Sequence, residues 1–302
     1  MRQKQGIALA GGGIKAFVQI GALRFLEEKG VKFDCVAGTS MGSVIASLVA
    51  VGANSEQLAK SMFALEKHFI DKKILLRPDL RILPFAKDKL DGFIDADIVE
   101  KLLEDEFLKY GIVSIQDIKT PLAITAVDLI SGKLVVFTNV PRYFTKDDDL
   151  IVISDIPLAQ AIRSSCSFPM VFNTKRIEGM QLVDGGVKMN LPVALLRMMK
   201  CKIAVSVSMD SSQPFEGTTR ISEVAMRILD LTASDQQSRA KRNSNYNLNI
   251  DASDIQIFDV GKGDQLVARG YTQALELWPE IEAAMRPKNV LESLKKEITK
   301  YI

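Results

Sequence analysis

Two short apolar runs near the start of the chain each lead into a glycine-bearing turn and then into a helical pattern. The first run covers residues 7–10 and ends in Gly11-Gly12-Gly13; the second covers residues 33–37 and ends in Gly38-Thr39-Ser40-Met41-Gly42. Successive strand–turn–helix units need crossover connections, which join parallel strands. The sequence therefore predicts an α/β fold with three layers (α/β/α) and a mainly parallel central sheet.

The alternation of strand and helix patterns continues along the chain. Further strands are predicted at 122–127, 133–137 and 203–207, with an edge strand at 255–260. Helices are predicted at 16–28, 41–51, 97–108, 157–164, 192–199, 221–240, 272–284 and 290–300. A single large α/β domain can accommodate a chain of 302 residues.

Composition excludes several classes of protein. A net charge of +2 disfavours nucleic acid as a general partner, and no stretch approaches the roughly 18 apolar residues of a membrane-spanning helix. The three cysteines, Cys35, Cys166 and Cys201, lack metal-ligand spacing and favour a reducing compartment over a disulfide scaffold or a zinc site. We therefore expect a cytoplasmic protein without a metal; the sequence leaves its oligomeric state open.

Ser40 lies at the centre of the second turn, with glycines two residues before and two residues after it. In a sharp strand–turn–helix bend, Gly38 and Gly42 let the strand and the helix approach without side-chain clashes. The serine oxygen then stands at a helix N-terminus, where the helix dipole favours developing negative charge. The turn predicts a nucleophile; the alternative is a serine that caps the following helix.

The first turn, Gly11-Gly12-Gly13, continues into Ile14 and Lys15. Consecutive glycines leave backbone N–H groups able to converge on an anion. The dinucleotide fingerprint fails because its sixth position is Ala16, and no Walker lysine follows. The serine turn in the same sheet favours an oxyanion hole over a nucleotide site, with Lys15 as a nearby cation. The alternative is a tight turn with a solvated lysine.

The sequence disfavours a histidine as the base that would activate Ser40. The only histidine, His68, lies in an amphipathic helical stretch, which disfavours a Ser-His-Asp triad. Asp184 follows an apolar run and precedes Gly185 and Gly186, which leave its side chain accessible. By itself this pattern is a common Asp-Gly turn. A free aspartate is also a weak base at neutral pH, so the role requires burial that raises its pKa.

These three motifs, in this order, resemble those of the patatin-like phospholipase family. The resemblance extends to Ala126-Val127-Asp128-Leu129, to residues 161–172, which are similar to S-x-A-x-P-x-x-F, and to Asn190-Leu191-Pro192, which is similar to N-x-P. It covers roughly residues 5–210, which we expect to be the catalytic region. Residues 211–302 are expected to form a helical extension packed on the same domain.

The resemblance implies a Ser–Asp dyad without histidine, in which Ser40 is the nucleophile and Asp184 is the base. The oxyanion hole would be formed by the backbone N–H groups of Gly11, Gly12, Gly13 and Ile14. The supporting residues would be Lys15, Gly38, Gly42, Gly185 and Gly186. The family needs no cofactor and generally no calcium. Two departures from the family pattern are Ala16, in place of a glycine, and Cys166, in place of an alanine.

Residues 67–89 combine seven basic and three acidic residues with isoleucine, leucine and phenylalanine. Apolar and basic residues together suit the surface of an anionic membrane. We expect this segment to be a lid or a membrane-docking insertion that gives a cytoplasmic protein transient contact with a membrane surface. The alternative is a subdomain that packs its apolar side on the core.

The resemblance implies a serine hydrolase that cleaves acyl esters of lipids or phospholipids through an acyl-Ser40 intermediate, of the phospholipase A or lysophospholipase type. Two alternatives remain at the level of sequence. An acyltransferase would use the same residues but deliver the acyl group to an alcohol or thiol. A non-catalytic lipid-binding regulatory protein would use the same pocket without chemistry.

Overall fold

A nine-stranded, mainly parallel sheet forms the centre of the computed structural model. The structure describes residues 3–72, 91–144, 147–210, 217 and 221–286. These residues form eleven strands, of which nine belong to the central sheet and two to a separate small sheet. The strands are β1 (Gln5–Leu9), β2 (Cys35–Thr39), β3 (Gly92–Ile94), β4 (Leu122–Asp128), β5 (Leu134–Thr138), β6 (Leu150–Ile153), β7 (Met170–Phe172), β8 (Lys175–Ile177), β9 (Met180–Asp184), β10 (Ile203–Asp210) and β11 (Tyr246–Asp251). The helices are α1 (Phe17–Glu28), α2 (Met41–Ala50), α3 (Ser55–Asp71), α4 (Asp97–Leu108), α5 (Leu158–Ser165), α6 (Gly186–Met189), α7 (Val193–Met198), α8 (Ile221–Asn243), α9 (Gly263–Glu276) and α10 (Trp278–Met285).

The order of the main strands is β11-β10-β1-β2-β4-β5-β6, and the strands from β11 to β4 are all parallel to their neighbours. β5 and β9 each pair antiparallel with β4, and β3 and β7 form a separate two-stranded sheet. Every residue of β1, β2, β4 and β5 is buried, so both faces of the sheet are covered. The predicted α/β fold with a mainly parallel sheet is confirmed.

Helices α1 and α9 pack closely because each places a glycine at the crossing. A Cβ on Gly21 would lie 2.6 Å from the backbone nitrogen of Tyr271. A Cβ on Gly270 would lie 2.7 Å from the backbone carbonyl carbon of Val18. Backbone contact of this kind anchors the C-terminal part of the chain on its first helix.

Two predictions for the C-terminal region are wrong. The edge strand is β11 rather than residues 255–260, which form turns. β11 escapes a hydrophobic-pattern search because Asn247 and Asn249 face the buried hydroxyls of Ser206 and Ser208 on β10, with Oγ–Oδ1 distances of 2.8–3.1 Å.

The predicted helix at 272–284 is two helices, α9 and α10, with a proline in the first turn of α10. The predicted helix at 290–300 lies outside the described residues. So does the proposed insertion at 67–89 from residue 73 onward; its first residues end α3. No helix in the described ranges is long and apolar enough to cross a lipid bilayer.

A buried aspartate closes the turn that follows β4. The carboxylate of Asp128 accepts hydrogen bonds from the N–H groups of Ile130, Ser131 and Gln181 at 3.0–3.2 Å, and from the Ser131 hydroxyl at 2.6 Å. Burial acts to raise the pKa of Asp128, but these bonds outweigh it and leave the pKa below its ordinary value. The bond from Gln181 also ties β9 to β4.

We expect Asp128→Ala to lower the free energy of unfolding by about 2–3 kcal/mol, because it removes a carboxylate that accepts four hydrogen bonds. The matched control is Asp148→Ala, which removes an exposed carboxylate and should change stability by less than about 0.5 kcal/mol. Chemical denaturation at neutral pH measures both. Equal effects of the two substitutions would contradict the role assigned to Asp128.

Candidate active site

Ser40 occupies a strained turn between β2 and α2. Its backbone has φ 53° and ψ −131°, a conformation that residues other than glycine rarely adopt. A Cβ on Gly38 would lie 2.7 Å from the Ala46 side chain, and a Cβ on Gly42 would lie 2.5 Å from the backbone oxygen of Leu9. Glycine is therefore required on both sides. Within the described chain the Ser40 hydroxyl makes no capping bond to α2, which disfavours the capping alternative.

The pairing of β4 brings Ser40 and Asp184 together. β5 lies along one edge of β4, and the other edge is shared end to end by β2 and β9. β2 runs parallel to β4 and ends with Thr39 opposite Thr125. β9 runs the opposite way and ends with Asp184 opposite the next residue, Ala126. The C-terminal ends of two strands that are distant in sequence therefore meet, with Ser40 directly after one and Asp184 closing the other.

Asp184 is only 2% exposed, and its two carboxylate oxygens are in different environments. Oδ1 accepts the N–H of Gly186 at 2.7 Å, whereas Oδ2 has no hydrogen-bond partner among the described residues. Burial raises the pKa of Asp184 to about 6, against the opposing effects of the nearby Ser40 hydroxyl and the Gly186 N–H. The burial that a basic role for Asp184 requires is therefore present.

The backbone around Asp184 leaves no room for larger residues. A Cβ on Gly185 would lie 2.5 Å from the backbone oxygen of Thr125. The hydroxyls of Thr125 and Thr39 are 2.7 Å apart, and Thr39 also donates to the backbone oxygen of Met189 at 2.8 Å. The end of β2, the middle of β4 and the turn after Asp184 are thus held in contact.

The glycine loop (residues 11–15) lies beside Ser40, but two of its four expected anion donors are occupied. Gly11 donates its N–H to the backbone oxygen of Asn190 at 3.2 Å, and Ile14 donates to the backbone oxygen of Ile257 at 3.0 Å. Among the described residues, the N–H groups of Gly12 and Gly13 have no acceptor. The expected set of oxyanion donors is corrected accordingly: Gly11 and Ile14 are held by distant carbonyls, which the local motif does not reveal.

Asn190 joins the glycine loop to the rest of the site. A Cβ on Gly11 would lie 2.7 Å from Asn190 Oδ1 and 2.9 Å from Ser40 Cβ, which explains the glycine at this position. The Asn190 side-chain amide donates to the backbone oxygen of Gly11 at 3.4 Å and to Gln237 Oε1 at 3.2 Å. Gln237 belongs to α8, so this helix also supports the loop.

The turn at residues 165–167, at the end of α5, contacts both expected catalytic residues. The hydroxyl of Ser165 accepts the Ser40 N–H at 2.8 Å, and the backbone oxygen of Ser167 accepts the Asp184 N–H at 3.0 Å. Arg163, which is fully buried, donates to the Ser167 hydroxyl at 2.6 Å. Reasoning from the sequence assigned these residues no role; the signal was their position in the segment at 161–172.

Cys166, in the same turn, lies close to the Ser40 and Ser43 hydroxyls. Burial and the negative charge of Asp184 raise the pKa of the Cys166 thiol to about 12, so it stays protonated at neutral pH. A protonated thiol is a poor nucleophile. Cys166 therefore shapes the site and does not compete with Ser40.

A cavity of about 350 Å³ opens beside these groups. Ser40, Asp184 and the glycine loop line it together with large apolar side chains, among them Val44, Met62, Leu65, Phe69, Leu103 and Phe172. A volume and lining of this kind suit an extended apolar group with a few fixed polar contacts.

The remaining predicted residues are placed as follows. Lys15 lines the cavity and is almost completely buried, so the solvated-lysine alternative is wrong. His68 is exposed and bonds to the backbone oxygen of Ala64 in its own helix. Across the described ranges, His, Cys, Asp and Glu side chains form no cluster that could hold a metal ion.

Known proteins resemble the chain in sequence and in fold. The family model described as patatin-like phospholipase matches residues 7–197. The uncharacterized protein YqhO of Bacillus subtilis is 30% identical over 207 residues, which are 66% of this chain and 69% of YqhO. Lysophospholipase NTE1 of Mycosarcoma maydis is 26% identical over 212 residues, which are 69% of this chain but 10% of that protein.

The crystal structure of VipD from Legionella pneumophila has a similar fold. Its TM-score is 0.50 at 14% identity, and the match covers 93% of this chain and 67% of VipD. At this identity the likeness concerns the fold alone. The sequence match carries the assignment, because the family model spans more than half of the chain and includes both Ser40 and Asp184. The chain belongs to the patatin-like phospholipase family.

Proposed function

We propose that the chain hydrolyses acyl esters of lipids, with Ser40 as the nucleophile and Asp184 as its base. The observation that carries the proposal is the meeting of Ser40, in a strained turn, with a buried aspartate whose Oδ2 has no partner among the described residues. An aspartate with a pKa of about 6 is ionised at neutral pH and is a stronger base than an exposed aspartate.

The reaction proceeds in two halves. Asp184 takes the proton of the Ser40 hydroxyl while Oγ bonds to the ester carbonyl carbon, and the N–H groups of Gly12 and Gly13 stabilise the oxyanion. The bond from carbon to the leaving oxygen then breaks, and Asp184 returns the proton to that oxygen. Water attacks the acyl-Ser40 ester in the same way, which releases the fatty acid and restores the Ser40 hydroxyl.

The cavity supports a lipid as the substrate, because its apolar walls suit an acyl chain and its polar groups lie near Ser40. The relative named lysophospholipase favours a phospholipase A or lysophospholipase type. We keep residues 5–210 as the catalytic region and 211–302 as an extension on the same domain. That extension supplies α8, which lines the cavity with Leu229, Ala233 and Gln237.

We expect Ser40→Ala and Asp184→Asn each to abolish hydrolysis of a monomeric ester such as 4-nitrophenyl butyrate while the protein stays folded. A fluorophosphonate probe should label the wild type at Ser40 and leave Ser40→Ala unlabelled. Mass spectrometry of the probe adduct and circular dichroism are the measurements. Substantial turnover by Asp184→Asn would show that another group is the base.

Asp184→Asn should also stabilise the fold at pH 8 by about 1–3 kcal/mol, because it replaces a buried charge with a neutral side chain. A carboxyl group whose pKa is raised on folding stabilises the folded state when protonated, and this contribution is lost as the pH rises toward about 6. The gain should therefore be small at pH 4 and complete above pH 6. Urea denaturation of the wild type and of Asp184→Asn at pH 4 and at pH 8 tests this.

The pH profile of kcat/KM on the soluble ester should show one ionisation near pH 6. Activity requires ionised Asp184, so it should fall about tenfold for each unit of pH below 6 and stay level from 7 to 8. An exposed aspartate would place this limb near 4 instead. A limb below pH 5 would contradict the assigned environment of Asp184.

Ser165→Ala removes the acceptor of the Ser40 N–H, and we expect kcat to fall about tenfold with little change in KM. Ser164→Ala is the matched control. Ser164 is equally buried in α5, but it donates to the backbone oxygen of Gln160 and does not contact Ser40. If both variants lose the same activity, the effect is on the helix and not on the position of Ser40.

A further inference from the structure

Lys15 is a buried cation at the wall of the cavity. Lys15 is 3% exposed, and its ammonium group makes no hydrogen bond and no ion pair with the described residues. Burial lowers the pKa of Lys15, and the carboxylates of Asp230 and Asp254 oppose that effect. An ammonium group on a largely buried side chain has lost much of its hydration, so a ligand that supplies an anion here would gain a strong contact.

Three acidic residues, at the end of β11 and in the turns after it, act on Lys15 electrostatically and have partners of their own. Asp254 forms a two-point ion pair with Arg269 at 2.5 and 2.9 Å. Asp251 accepts the N–H of Ser253, and Asp259 accepts the N–H of Gln256, each at 2.9 Å. These carboxylates balance the charge of Lys15 at a distance without contacting it.

Asp230, on α8, lines the same cavity as Lys15. It is partly buried, and no described residue forms a hydrogen bond or an ion pair with it. Burial raises the pKa of Asp230, against the charges of Arg227 and Lys15. Asp230 and Lys15 are thus farther apart than an ion pair, yet close enough to interact through the cavity.

We propose that Lys15 and Asp230 form a head-group site for a zwitterionic phospholipid, with the phosphate at Lys15 and the ammonium group at Asp230. The inference rests on the proposed function and names its substrate class. The shared chemistry is a phosphate followed by an ammonium group, as in phosphoethanolamine and phosphocholine lipids. Lys15 and Asp230 then each acquire a partner.

Other head groups leave the charge of Lys15, of Asp230 or of both without a partner. A neutral glyceride pairs neither charge, so Lys15 and Asp230 stay buried without compensation. A phosphoglycerol head group satisfies Lys15 but offers no cation to Asp230. Selectivity therefore depends on Asp230, through the difference between head groups with and without an ammonium group.

The test compares Asp230→Asn with Asp235→Asn. Asp235 lies on the same helix but is exposed and pairs with Arg239 at 3.1 Å, so its substitution makes the same charge change away from the cavity. The probes are short-chain, monomeric lipids with phosphoethanolamine, phosphocholine or phosphoglycerol head groups, and a monoacylglycerol. Each phospholipid is supplied in monoacyl and diacyl form, so that the binding of lysophospholipids can be compared with that of diacyl phospholipids.

Binding is measured by calorimetry on the Ser40→Ala background, so head-group selectivity is read without any hydrolysis. We expect the zwitterionic lipids to bind about tenfold more tightly than the phosphoglycerol lipids, and Asp230→Asn to remove that preference. Asp235→Asn should retain it. Lys15→Met should weaken binding of every phospholipid about tenfold and leave the monoacylglycerol unchanged.

An unchanged preference in Asp230→Asn, or equal binding of all head groups to the parent protein, overturns the proposal. Failure of the proposed function gives a different pattern. Protein that retains Ser40 would then neither hydrolyse esters nor react with the fluorophosphonate probe, whichever head group the Ser40→Ala protein prefers to bind. If the monoacyl and diacyl lipids differ in affinity, the form that binds more tightly shows whether the head-group site serves lysophospholipids or diacyl phospholipids.

Discussion

The site depends on one strand, β4, whose single edge is shared by two others. β2 and β9 meet end to end on that edge, and hydrogen bonding to β4 fixes the level at which each stops. Backbone pairing therefore sets the positions of Ser40 and Asp184. Because β4 is buried along its whole length, the same arrangement removes water from Asp184 and raises its pKa.

Several polar groups of the site lack partners among the described residues, although buried polar groups are normally paired. They are Asp184 Oδ2, the N–H groups of Gly12 and Gly13, the Lys15 ammonium and the Asp230 carboxylate. Ser40 adds backbone strain at the same place. The surrounding sheet tolerates these local costs because its strands bury long apolar runs. Unsatisfied groups concentrated at one cavity favour a binding role for that cavity.

The sequence predicted those features of the fold and the site that depend on residues close together in the chain. The turn at Ser40, the glycine loop and the parallel pairing of the first strands follow from glycine spacing and apolar runs. Long-range contacts were harder to predict. The amides of Gly11 and Ile14 are bound by Asn190 and Ile257, far along the chain, and no pattern near the glycine loop reports this.

Strand β11 was missed because its asparagines pair with serines of a neighbouring strand, so it lacks a purely apolar face. The sequence pattern made Asp184 a candidate, but its role as the base was assigned through family resemblance, since an Asp-Gly turn alone is common. The support from Ser165 depends on α5 packing beside α2, which is a property of tertiary structure.

Helix α8 has a consequence for how such a protein can diversify. It lies beyond the stretch that matches the family model, yet it provides one wall of the cavity. Under the proposed function, α8 contributes to substrate choice from a segment separate from the one that carries Ser40 and Asp184. Mutations that accumulate in α8 would then alter which lipid fits while Ser40 and Asp184 remain intact, so divergence in this helix need not pass through an inactive ancestor.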